Sequence, residues 1–182
     1  MALKLSNSYL EDSLAVFRQY KNLAERAIEQ VNDADLTAQI DNENNSIAVI
    51  VKHMTGNMRS RFLDFLISDG EKPDRNRDSE FVEPPSTREA LMKRWEEGWN
   101  YVFTALEPLS EADLTRTVTI RGEAHSVMQA INRQIGHYAM HCGQIVLLAK
   151  HFQHQNWKPL TIPRGKSHEY LQRVLAKEVS QR

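Results

Sequence analysis

The segment His137-Tyr138-Ala139-Met140-His141 places two imidazoles four residues apart in a strongly helical stretch. A four-residue step turns about 400° at 3.6 residues per turn, so both rings lie on one face, one turn apart. Imidazoles at that spacing can grip one transition-metal ion. A third candidate, His53, sits in another helical stretch, residues 46–68. Three neutral imidazoles with an open fourth position make a catalytic type of metal site, not a closed structural one. The plainer alternative is a set of surface or locally hydrogen-bonded histidines, because a short motif alone proves little. A zincin would carry Glu directly after the first histidine as general base. Tyr138 stands there instead, which argues against a zinc protease.

Two helices must face each other for these rings to meet, and apolar periodicity supplies four long helices. Ser8 and Glu11 read as a capping box opening the first. Leu10, Leu14, Phe17, Ala24, Ile28 and Val31 mark its apolar stripe, which Asn32-Asp33-Ala34-Asp35 ends. The second helix, 46–68, buries Ile47, Val51, Met54, Met58, Phe62 and Phe65, keeps His53 at the edge of that face, and stops at Asp69-Gly70. Residues 71–85 are charged, contain Pro73, Pro84 and Pro85, and read as a solvated connection. The third helix opens with a Ser86/Glu89 capping box and carries Leu91, Trp95, Trp99, Val102 and Leu106, its tryptophans read as core.

Between residues 114 and 125 the period changes. The β-branched run Thr115-Arg116-Thr117-Val118-Thr119-Ile120, followed by Arg121-Gly122, predicts a small hairpin. The fourth long helix starts at Ser126, capped with Gln129, and reaches about Gln153. Val127, Ile131, Ile135, Tyr138, Ile145, Ala149 and Phe152 form its core stripe, with Gln134, His137, His141 and Gln144 on an adjoining polar strip. That strip suits a pocket wall, and equally a half-exposed helix. A short further helix is expected from Ser167. The pattern predicts an all-α four-helix bundle forming one domain over residues 1–182. Metal sites in bundles form from side chains on facing helices, which is how His53 could join the other pair.

Composition narrows the function. Of 182 residues, 23 are Lys or Arg and 24 are Asp or Glu, for a net charge of −1. With the charges intermixed, no nucleic-acid partner is expected. No run approaches a membrane span, and the first residues lack the apolar core of a signal peptide. Cys142 is the one cysteine, so no internal disulfide forms, which fits a cytoplasmic protein.

Longer stretches carry a resemblance. Val51-Lys52-His53-Met54-Thr55-Gly56-Asn57 continues into Met58-Arg59-Ser60-Arg61-Phe62. Ser68-Asp69-Gly70-Glu71-Lys72-Pro73 follows, and His137–His141 runs into Cys142-Gly143-Gln144-Ile145. Together they resemble an uncharacterised branch of the DinB superfamily, the DinB/YfiT-like metalloenzymes. The resemblance implies helices in up-down-down-up order and a homodimer. It also implies a divalent metal on His53, His137 and His141, nickel or zinc foremost, with manganese, iron or cobalt as alternatives. Some members transfer low-molecular-weight thiols such as bacillithiol, mycothiol or glutathione, and others are maleylpyruvate isomerases. A fold does not carry its activity with it, so three functions are weighed. The first is a thiol S-transferase acting on a small reactive electrophile. The second is a metal-dependent hydrolase or isomerase using no thiol. The third is a non-catalytic, stress-linked dimeric bundle.

Further residues gain roles in that setting. Asn57 lies one turn after His53 and Arg61 one turn beyond, while Arg133 lies one turn before His137. These three are candidate substrate contacts, either arginine being able to hold a carboxylate through two parallel hydrogen bonds. Gln134 and Gln144 are candidates to fix the imidazole tautomers. Tyr138 and Cys142 point about 100° away from the neighbouring histidines and are assigned to packing. His125, His151, His154 and His168 lack matched partners and are read as surface or hairpin residues.

Overall fold

A computed structural model describes residues 8–179. Four helices form the bundle: α1 (Tyr9–Ile28), α3 (Ile47–Phe62), α4 (Arg88–Leu106) and α5 (Val127–Gln153). A short α2 (Asp33–Thr37) follows α1, and α6 (Ser167–Leu175) ends the described chain. α1 packs mainly on α5 and α3 mainly on α4, while α3 also lies against α5. The core between them is aromatic. Phe17, Trp95, Trp99 and Tyr138 are fully buried, and the Trp99 ring meets Phe17 at 6.1 Å, Tyr138 at 5.6 Å and Trp95 at 5.6 Å between centroids. No helix of the described residues is long and apolar enough to cross a membrane.

Helix starts follow side-chain caps. Ser8, Ser46 and Ser126 each accept a backbone N–H from the first turn of α1, α3 and α5. At Ser126 the Gln129 side chain completes the capping box. At α4 the cap is Thr87, one residue later than expected, because its hydroxyl and not that of Ser86 accepts from the Ala90 N–H. α1 ends at Ile28, earlier than the stripe suggested, since Asn32 serves as the N-cap of α2. α3 is also shorter than the expected 46–68. Leu63 turns extended and Asp64 takes a positive φ of 51°, so Phe65 reaches the core from a turn.

The hairpin stands as expected. β1 (Thr117–Ile120) pairs antiparallel with β2 (Glu123–Ser126), Val118 opposite His125. Arg121 and Gly122 both have positive φ, the geometry of a tight two-residue turn. Asp69 accepts both of their N–H groups and so pins the turn against the end of the α3 connection.

Candidate metal centre

The contact between α3 and α5 brings the three predicted imidazoles together. His53 Nε2 lies 3.3 Å from His137 Nε2, and His141 Nε2 lies 3.1 Å from the same atom. The three ligand atoms fall within 4.8 Å of one another, with His53 buried and the other two half-buried.

The tautomers follow from the outer partners. His53 Nδ1 is 2.8 Å from Glu80 Oε2. An ionised carboxylate only accepts, so Nδ1 carries the proton and Nε2 offers a lone pair. Burial resists ionisation of Glu80, but hydrogen bonds from His53 and Arg75, with the Arg75 charge, hold its carboxyl below the usual value. His141 Nδ1 donates to Gln144 Oε1 at 2.7 Å, leaving its Nε2 unprotonated as well. Two lone pairs therefore converge on His137 Nε2. One proton on that nitrogen could satisfy only one of them, whereas a cation satisfies all three. The donor set thus fits a metal ion, with outer partners of the kind that orient metal-bound histidines.

Electrostatics favour the neutral form of His137 and His141. Burial, then repulsion from His141 and His53, lowers the His137 pKa to about 3. His141 is lowered too, chiefly by burial, against the opposing pull of Gln144. Neutral imidazole is the ligating form. A pH dependence follows for the metal-free protein. As pH falls below about 6.5, the unfolded chain takes up a proton that the folded site refuses at His137. This contribution to stability is complete above that pH and is lost progressively toward about 3. Urea unfolding midpoints should fall between about pH 7 and about pH 5, with a shallower slope in His137→Ala. Equal slopes in the two proteins would contradict a buried neutral ring.

Glu80 was not foreseen, and its segment corrects the sequence reading. Residues 71–85 are not simply a solvated connection: Lys72 and Glu80 are buried, and the Arg75 side chain is 4% exposed. A single 3₁₀ turn, Asp78–Phe81, lays Glu80 against α3 and stacks the Phe81 ring on His53 at 4.8 Å. Arg75 holds Glu80 with two hydrogen bonds, 2.8 and 3.1 Å long. Gly56 makes the approach possible, since a Cβ there would stand 2.6 Å from Glu80 Oε1. A glycine inside a helix costs about 1 kcal/mol relative to alanine. That glycine, one turn after His53, was the signal available in the sequence. Glu80→Ala and Gly56→Ala should each lower metal affinity by roughly 10–100-fold at unchanged helicity. Calorimetric titration checks this, and wild-type affinity in Gly56→Ala would break the link between the notch and the ligand.

The other candidates sort themselves by their partners. Gln144 does hold His141, as above. Gln134 is buried, with Oε1 unpartnered. Asn57 accepts from the Tyr138 hydroxyl at 3.1 Å, tying α3 to α5 behind the cluster. Arg61 is buried, and its guanidinium is largely spent on the Gly70 carbonyl, Ser60 and Glu71, with Nε left over. Arg133 is exposed and has no ion pair among the described residues. Asn57, Arg61, Arg133 and Gln134 all border one cavity of about 300 Å³ beside His53 and His137. Cys142 is buried, its thiol pushed up to about 12 by burial alone.

Comparison with known proteins agrees on the architecture. The chain is similar in fold to the crystal structure of a DinB-like protein from Bacillus cereus ATCC 10987. The TM-score is 0.58 at 16% identity, over 78% of this chain and 91% of that one. No curated protein matches the sequence significantly. A family model described as protein of unknown function, DUF1572, matches residues 4–166, and the chain belongs to that family.

Proposed function

We propose that the protein is a divalent-metal-dependent enzyme with His53, His137 and His141 as ligands, and that it transfers a thiol sulfur onto a small reactive electrophile. The carrying observation is the convergence of three Nε2 atoms, two of them fixed as lone-pair donors by Glu80 and Gln144. A divalent ion on three neutral imidazoles supplies charge that lowers the pKa of a bound water or thiol. The remaining work falls to the chain. Glu80 holds His53 in its ligating tautomer and Gln144 does the same for His141. Phe81, stacked on His53, covers that ring.

This reading does not draw on the chain's own cysteine. Cys142 is buried among core side chains with a raised pKa, so the chain offers no thiolate of its own. The nucleophile would arrive with a cosubstrate, its sulfur bonding to the electrophilic carbon as the leaving-group bond breaks and the thiol proton passes to solvent. The test is metal analysis of untagged protein, then titration of biological thiols into the Co²⁺- or Ni²⁺-loaded form. A spectral change that needs the histidines, with turnover retained in Cys142→Ala, is expected. Should no thiol change the spectrum or raise electrophile turnover, the transferase reading falls. Thiol-free hydrolysis or isomerisation at the same centre would replace it.

A homodimer belongs to the same proposal. Met140 and Leu147 are 54% and 64% exposed on α5. At Gly136 and Gly143, one helical step from them, an added Cβ would meet nothing. Light scattering of wild type and Leu147→Glu tests whether a second copy covers that face.

A further inference from the structure

We propose that the cavity beside the imidazole cluster binds a substrate through a carboxylate or phosphoryl group, with Arg77 and Arg133 as the anion clamp. This names a substrate class for the proposed enzyme and rests on that reading.

The cavity wall carries the inference. Five arginines border it, Arg61, Arg75, Arg77, Arg121 and Arg133, and no carboxylate does. Three of the five are engaged from behind. Glu71 pairs with Arg61, Arg75 and Arg121, and Glu80 pairs with Arg75. Five guanidinium groups thus stand against Glu71, Glu80 and the nearby Asp69, an excess of two positive charges before any metal is counted. Arg77 and Arg133 have no ion pair among the described residues, and Arg77 lies over the Phe81 ring, 5.0 Å from its centroid. They come from different elements, the 71–85 segment and α5, so a ligand between them is gripped from two sides.

Burial adds an independent observation. Arg61 and Gln134 are 4% and 2% exposed. Arg61 Nε, Gln134 Oε1 and His137 Nδ1 are buried polar atoms without a partner, and all three residues border this cavity. Such atoms are costly unless something else satisfies them. An oxyanion accepts from Arg61 and His137, and a hydroxyl or amide on the same ligand donates to Gln134. The size, about 300 Å³, suits a small molecule. The charge selects a compact anion over an apolar one, and the planar fork of arginine fits both carboxylate and phosphoryl oxygens.

The test titrates succinate, inorganic phosphate and the neutral analogue succinamide into the full chain, with and without metal. Wild type should bind succinate or phosphate but not succinamide, and the tighter of the two identifies the head group. Arg77→Gln with Arg133→Gln should weaken anion binding at least about tenfold, the cost of losing charge-assisted hydrogen bonds. Lysine replacements should recover only part of it, and metal affinity should not change in either pair. Because both side chains are exposed, the variants keep the fold. Arginine-dependent anion binding in a protein that takes up no metal would uphold the clamp and remove the metal reading. Equal binding of succinamide, no anion binding, or binding that needs the metal and ignores both arginines would overturn the clamp while leaving the metal centre intact.

Discussion

Replacing His53, His137 or His141 with alanine, one at a time, lowers divalent-metal affinity by more than about 100-fold, beyond the roughly 10–100-fold expected for an outer partner. Each ring contributes one of only three nitrogens clustered within 4.8 Å. Losing one leaves two donors, and for His53 it also removes one hydrogen bond from the buried Glu80 carboxylate, which Arg75 still holds. The effect should be local. His137 and His141 are half-buried, so circular dichroism should report nearly unchanged helicity. Calorimetric titration with Zn²⁺ and Ni²⁺ measures the change. If the three variants retained wild-type affinity, the cluster would be a hydrogen-bonded group of imidazoles and the proposed enzyme would lose its centre.

Trp95→Ala should destabilise the metal-free protein by about 3–5 kcal/mol, the usual cost of deleting a large buried aromatic side chain. The Trp95 side chain is fully buried on α4 and packs edge-on against Trp99. Its indole N–H donates to Glu25 on α1 at 3.0 Å, adding a hydrogen bond to the Phe17–Trp99 ring contact and the Lys21–Glu96 ion pair between the same two helices. Trp99 provides the comparison, because its Nε1 is buried without a partner. Trp95→Phe should therefore cost more than Trp99→Phe, by about the 1 kcal/mol of a typical hydrogen bond. Urea midpoints at constant slope test both comparisons. A reversed order would mean that packing shape, not the Glu25 bond, sets the value of Trp95.

The sequence made the helical frame legible wherever one rule decided the outcome. Ser126 and Gln129 cap α5 as expected because both halves of the box are local. The His137/His141 pair was legible for a similar reason, since periodicity puts both on one face, whereas the place of His53 beside them was implied by the resemblance. Two helix ends were misplaced because apolar spacing outlasts the helix. Phe65 is buried, yet the chain has already turned at Leu63 and Asp64. Asn32, read as a terminator, is the cap of the next helix. The segment holding Arg75 and Glu80 was hidden more deeply. A charged, proline-bearing run is normally solvated, and only long-range pairing turns these charges inward, with His53 and Glu80 separated by 27 residues. Arg61 shows the same limit: its position on α3 suggested a free clamp, but Gly70 and Glu71 fold back to occupy most of it.

The split of the imidazoles between α3 and α5 also imposes an order on biosynthesis. His53 and His137 are 84 residues apart in the chain. At about 5–20 residues per second, the ribosome delivers the second ring roughly 4–17 s after the first. During that interval the nascent chain has one of its three nitrogens and no closed cage. α1 is left waiting as well, since its main partner is α5. Metal therefore cannot template the early stages of folding. On the proposed reading a metal held by all three rings would be taken up only after α5 has been made, as the last of the four long helices.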